Sequence, residues 1–207
     1  MGIPVLILGA SGSGKSASMR NFTPDEVTVF NVASKPLPFR TKLPTYNCSD
    51  YGKIMSAMSQ SKKKILVVDD TQFLQVFANF ARAKEVGYAK FVDMALNEYN
   101  LIRFCIDKLP ADVIVYFLRH IDVDEMGHIK PKTIGKMLDN NLGGLESMFS
   151  ICLLCNTDGN KHWFETQSDG FSPAKSPIGM WEERDIDNDL KSVDKSIRDY
   201  YEVGKDG

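Results

Sequence analysis

The stretch from Gly9 to Ser16, Gly-Ala-Ser-Gly-Ser-Gly-Lys-Ser, limits what this chain can fold into more than any other, because it satisfies the spacing G-x-x-x-x-G-K-[ST] in a telling context. Before it runs a strand-like apolar segment, Ile3, Val5, Leu6, Ile7 and Leu8, and after it a helix-like segment from Ala17 to Phe22. Glycines let the backbone turn tightly and aim successive N–H groups inward, which makes a nest for phosphate oxygens. On this reading Gly9, Ser11, Gly12, Ser13, Gly14, Lys15, Ser16 and Ala17 cradle a triphosphate, with ATP and Mg²⁺ as the expected ligands. Lys15 reaches toward the β- and γ-phosphates, and the Ser16 hydroxyl ligates the metal. The competing reading is a Gly/Ser-rich turn that binds nothing.

A second informative stretch follows Lys62, Lys63 and Lys64: Ile65, Leu66, Val67 and Val68, then Asp69 and Asp70. A wholly apolar run ended by two carboxylates is the pattern of a buried parallel strand delivering acids at its C-terminal end. Asp69 is the candidate Mg²⁺ ligand and Asp70 the candidate base for an attacking water; a helix N-cap for the segment beginning near Thr71 is the other role open to Asp70. Val113 to Leu118 reads as a further buried strand that ends in Arg119 and His120. In phosphate-loop folds whose extra strand inserts between the phosphate-loop and acidic strands, that end lies near the γ-phosphate. His120 is therefore a candidate sensor of hydrolysis, with a structural histidine as the alternative.

The remaining chain fills in an α/β pattern. Val27 to Val32 reads as a strand, the proline-bearing 35–39 as a loop, and 51–58, 73–84 and 89–108 as helices. From Asp122 to Asn141 the periodicity fades, and the segment reads as a mobile loop with one short helix over 134–139. Its lysines, Lys130, Lys132 and Lys136, are candidate contacts to single-stranded DNA, weighed against a merely solvated loop. Segments 149–156 and 161–166 flank Asp158-Gly159, a hairpin signal, and Leu190, Val193, Ile197 and Tyr201 form the stripe of a C-terminal helix.

With 207 residues, 43% of them hydrophobic, the chain can bury one sizeable core and is read as a single domain, 1–207. A formal charge of -2 excludes a globally basic nucleic-acid coat. No run of 18 apolar residues exists, so no membrane association and a cytoplasmic location are expected. Cys152 and Cys155 lie in one apolar strand, where the two-residue period sends them to opposite faces, so with Cys48 and Cys105 they are read as reduced thiols and not as a zinc site.

The phosphate loop, the Val-Val-Asp-Asp strand, the Leu-Arg-His strand end, the Lys-Thr-Ile-Gly-Lys stretch (132–136) and the Ala-Lys-Ser-Pro-Ile-Gly-Met stretch (174–180) together resemble a bacteriophage family of small RecA/RadA-like ATPases associated with single-strand annealing and recombination. The resemblance implies a RecA-type core: a mostly parallel central sheet flanked by helices, followed here by a C-terminal β-hairpin and helix. It also implies work on single-stranded DNA in a host bacterial cell, self-association into homo-oligomers, and single-strand-binding or other recombination proteins as partners. Two departures stand out. RecA-type enzymes place a catalytic glutamate after their second strand, where this chain reads Asn-Val-Ala-Ser-Lys (31–35), so Asp70 is the substitute. RadA-like proteins carry a Lys-Asn-Arg-Phe-Gly motif that reaches a neighbour's nucleotide, where this chain has Lys-Ser-Pro-Ile-Gly (175–179), which leaves Lys175 as the candidate cation acting in trans. Lys175 has no evident structural duty in the sequence. Two other functions compete with the ATPase: a nucleotide-gated interaction module with little turnover, favoured by the missing glutamate, and a nucleotide kinase, disfavoured because the 122–136 lid lacks arginine.

Overall fold

The structure, a computed structural model, describes residues 1–204. The strands are β1 (Ile3–Gly9), β2 (Val27–Asn31), β3 (Thr45–Asn47), β4 (Ile65–Asp69), β5 (Ile114–Val123), β6 (Ile129–Pro131), β7 (Ile151–Thr157), β8 (His162–Glu165) and β9 (Asp185–Asp187). They form one sheet in the order β3-β2-β4-β5-β1-β7-β8-β9, with β6 paired to the far end of β5. Pairings from β3 through β7 are parallel, and β8, β9 and β6 join antiparallel. The strand after the acidic one, β5, thus lies between β1 and β4, as the sequence leads one to expect.

Alternation along β1 sets the two cores. Leu6 and Leu8 pack with Phe30, Val68, Phe117 and Cys152 beneath α1 (Tyr51–Gln60), α2 (Gln72–Ala81) and α3 (Ala89–Lys108). Val5 and Ile7 pack on the other face with Val67, Tyr116 and Cys155, against Met19 and the Leu190–Val193–Ile197 stripe of α5 (Leu190–Tyr201). Val5 through Leu8 are wholly buried, and at about 25 cal/mol per Å² of apolar surface such a strand is a main source of the fold's stability. Cys152 and Cys155 fall in different cores, as the strand period requires. Among the described residues no helix is long and apolar enough to cross a membrane.

Three expectations are corrected. The segment 122–141 is no free loop: Ile121, Asp122 and Val123 pair with Pro131, Lys130 and Ile129 to make a hairpin, while the one short helix expected there is present as α4 (Met137–Leu142), three residues later, anchored by buried Leu138. The helix expected after the phosphate loop is only a six-residue 3-10 helix, Ser16–Asn21. Strands β3, β6 and β9 add three residues each to the sheet, at places where the sequence shows no alternation.

Candidate functional site

The loop that leaves β1 can close tightly because Gly12 and Gly14 sit at φ of 79° and 103°, in the left-handed region that side chains disfavour. At Gly14 a Cβ would also collide with the His162 ring, 2.9 Å from Nδ1. Among the described residues the amides of Gly14, Lys15, Ser16 and Ala17 donate to no protein acceptor, so they stay available to an anion. Lys15 is 5% exposed and folds back over the loop, its Nζ donating to the carbonyl oxygens of Gly9 and Ala10 at 2.9 and 2.8 Å. Burial lowers its pKa against the raising influence of Cys155, Asp70 and Asp69.

The end of β4 meets this loop. Ser16 Oγ donates to Asp69 Oδ1 at 2.8 Å, joining residues 53 apart in the chain. Burial, and then the adjacent Asp70 charge, push Asp69 up to about 6, against the hydrogen bond from Ser16. Asp70 stands at φ 61°, a left-handed position for a non-glycine residue that Asp tolerates better than most. This turn aims its carboxylate at three donors: His120 Nε2 at 3.3 Å, Lys35 Nζ at 3.2 Å and Gln72 Nε2 at 3.4 Å. Burial alone would raise its pKa, but the hydrogen bonds from His120 and Lys35 and the Lys35 charge outweigh it and hold it at about 2. Since a carboxylate only accepts, the His120 proton is assigned to Nε2. Thr71, not Asp70, occupies the N-cap position of α2, so Asp70 does not serve as the cap.

Ser11, Gly12, Gly14 to Ala17, Asp70 and His120 wall a cavity of about 290 Å³, and Asp69 meets it through its hydrogen bond from Ser16. Gly9 and Ser13 stand behind the loop. The Ser13 carbonyl accepts from Cys155 Sγ at 3.0 Å and lies 2.7 Å from His162 Nδ1, while its Oγ is buried without a partner. Three wall residues escaped the sequence: Lys35, Pro38 and His162. Lys35 lies in the stretch 31–35, where RecA-type enzymes carry a glutamate, and a cation there was legible only as the absence of an acid.

Arg119 and His120 part company. Adjacent strand residues face opposite sides, so His120 turns to the cavity while Arg119, 1% exposed, lies under α2 and α3. There its guanidinium meets Glu98 Oε1 at 2.5 Å, Gln75 Oε1 at 3.0 Å and the Lys132 carbonyl at 2.8 Å. Lys130, Lys132 and Lys136 do not line the cavity; they are exposed on the hairpin and at the N-cap of α4, with Lys130 Nζ 3.8 Å from Asp139. Lys175 is likewise remote, and it does have a structural duty: its backbone exchanges two 2.8 Å hydrogen bonds with Cys152, extending the sheet beside β7. Cys152 lies three residues before Cys155, which pairs with Gly9 at the start of the 9–16 loop, so roughly 10 Å of strand separates Lys175 from the site of its own chain.

Among the described residues no three His, Cys, Asp or Glu side chains gather to hold a metal by themselves. A magnesium ion needs no such cage, because it keeps several waters and takes substrate phosphates beside one or two protein ligands. The Ser16 and Asp69 oxygens are hard ligands of that kind, and the free amides and buried ammonium beside them suit phosphate, so the residues fit Mg²⁺ with a triphosphate. Comparison of the chain with protein-family models and with curated proteins finds no match.

Proposed function

We propose that this chain binds a nucleoside triphosphate, ATP by expectation, together with Mg²⁺, and hydrolyses it. The observation that carries the reading is the 2.8 Å hydrogen bond between Ser16 Oγ and Asp69 Oδ1 beside the buried Lys15 ammonium. It joins the two sequence motifs at one point, and a turn that binds nothing gives no reason for a carboxylate to be buried there at a cost to its ionisation. Ser16 and Asp69 would hold Mg²⁺, whose charge offsets that of the phosphates. The loop amides and Lys15, released from the Gly9 and Ala10 carbonyls, bind the phosphate oxygens. Asp70 and His120 orient a water, and His120 Nε2 reports whether Asp70 is free to accept. A RecA-like core, descent from phage recombination proteins and work on single-stranded DNA are the further content of this proposal; the insertion of β5 between β1 and β4 supports the first.

The rival with an observation behind it is the nucleotide-gated module with little turnover. A carboxylate held at about 2 is a weak base, so Asp70 in this arrangement positions water better than it removes a proton. Steady-state release of phosphate from Mg·ATP by the parent and by Lys15→Ala decides between them. Turnover in the parent that Lys15→Ala loses is expected; tight binding without turnover selects the module, and turnover unaffected by Lys15→Ala refutes the site.

A further inference from the structure

Beside the phosphate cavity, at the C-terminal ends of β2 and β3, lies a second depression of about 600 Å³, with Asn31, Ser34, Lys35, Arg40, Thr45 and Asn47 in its walls. The two depressions share Lys35. Its floor is fixed. Leu43 is buried, and Leu37 and Phe39 pack against the same core as Val29. The Asn31 amide donates to the Lys35 carbonyl at 2.6 Å, and the Thr45 hydroxyl donates to that of Leu43 at 3.1 Å.

Its charge is positive. The walls hold two cations, Lys35 and Arg40, and no carboxylate, although Lys35 pairs with Asp70 outside them. Among the described residues, Arg40 pairs with no carboxylate. The hairpin region 122–141 is the reverse: its three lysines face four carboxylates, Asp122, Asp124, Glu125 and Asp139. In a chain with a net charge of -2, the trough rather than the hairpin is where a polyanion finds an attractive field.

We propose that this trough binds the sugar–phosphate backbone of single-stranded nucleic acid, with Arg40 in its wall and Lys35 at its junction with the phosphate cavity. A strand fits better than a mononucleotide. Ser34, Arg40, Thr41, Thr45 and Asn47 are all exposed, and no element closes over them, whereas small-ligand sites enclose most of their ligand. An open cationic groove is the form that tracks a polymer backbone. The hydroxyls and the Asn47 amide suit phosphate and sugar oxygens, contacts that position a strand without reading its sequence. The junction gives the site a consequence. The Lys35 ammonium now lies 3.2 Å from Asp70 Oδ2, and a backbone phosphate in the trough competes for it, so strand binding and nucleotide turnover are linked. That linkage rests on the proposed nucleotide site; strand binding itself does not.

The test is fluorescence anisotropy of a labelled oligothymidylate across a salt series, with Mg²⁺ and a non-hydrolysable ATP analogue present. Each phosphate contact contributes about 0.7 to the log–log salt slope, so Arg40→Ala should lower it by about 0.7 while Lys130→Ala/Lys132→Ala/Lys136→Ala leaves it unchanged. Unstimulated ATP turnover of Arg40→Ala should equal that of the parent, which also shows that it folds. Failure of the parent to bind the oligomer, an unchanged slope in the trough variant, or a fall confined to the hairpin variant overturns the proposal. Displacement of the oligomer by thymidine monophosphate at equal phosphate concentration overturns it as well, and marks the trough as an acceptor pocket. Strand binding with the expected slopes but no ATP turnover upholds the trough and refutes the hydrolase reading instead.

Discussion

Asp69→Asn should make the ligand-free protein more stable while removing its response to Mg²⁺. Asp69 is 5% exposed, and its pKa rises from an ordinary 3.8 to about 6 on folding. At about 1.4 kcal/mol for each tenfold change in proton affinity, that displacement amounts to about 3 kcal/mol. Because the folded value is the higher one, the stabilising protonated form is fully present below about pH 4 and is lost as pH rises to about 6. Above that the folded protein carries the whole penalty of a desolvated carboxylate beside Asp70. Asparagine keeps an oxygen for the Ser16 hydroxyl but does not ionise, so it escapes the penalty. The difference between variant and parent should therefore grow from near zero at pH 4 to about 3 kcal/mol at pH 7, or roughly 6 to 12 °C in Tm for a chain of this size. Denaturant titrations from pH 4 to 8, without metal or nucleotide, measure it. Adding Mg²⁺ and ATP should reverse the order, since only the parent gains stability from binding. A variant no more stable than the parent at pH 7, or a difference independent of pH, would refute the reasoning.

Lys15→Ala should abolish ATP hydrolysis and weaken nucleotide binding, read by phosphate release and by titration with a fluorescent ATP analogue. Asp70→Asn should bind Mg·ATP with parental affinity but turn it over about 10² times more slowly or worse; parental turnover would move the base elsewhere. Arg119→Met should destabilise the fold by about 3–5 kcal/mol in denaturant titrations, because Glu98 is left as an uncompensated buried charge. If Lys175 serves a neighbouring copy, specific turnover should rise with protein concentration, Lys175→Ala should flatten that rise, and mixing Lys175→Ala with Lys15→Ala should restore part of the activity; an inactive mixture together with concentration-independent turnover sinks the idea.

How much of this was legible depends on whether the signal was local. β1, β4 and β5 are long apolar runs with abrupt polar ends, and the periodicity of α3 and α5 is equally plain, so these elements stand where the residues lead one to expect. The three-residue strands are different: β6 contains Pro131, which cannot donate to a ladder and is confined to edges, and its partner, the far end of β5, is half exposed and polar. Lys35 and His162 reach the cavity from loop and edge positions through long-range packing, which no short window records. The separation of Arg119 from His120, by contrast, follows from strand alternation and was available from the sequence. Lys175 shows the opposite limit, since its structural role is carried by backbone groups that every residue possesses.

The parting of Arg119 and His120 joins the site to the hairpin through one turn of helix. Gln72 opens α2 directly after the Asp70 turn; its Nε2 donates to Asp70, and its Oε1 accepts from the His120 amide at 3.2 Å. Gln75, one turn further and on the same face, accepts at a single oxygen from Arg119 and from the Ile134 amide, both at 3.0 Å. Lys132 closes the circuit, its amide donating to the His120 carbonyl and its carbonyl accepting from Arg119, both at 2.8 Å. A rearrangement at Asp70 must therefore either break the Gln72 bonds or rotate the first turn of α2. Rotation carries Gln75, and with it Ile134 and the guanidinium whose desolvated charge Glu98 balances. Buried networks of this kind are costly to satisfy in part, so the hairpin and the carboxylate beside the phosphate loop are held to one arrangement or moved together.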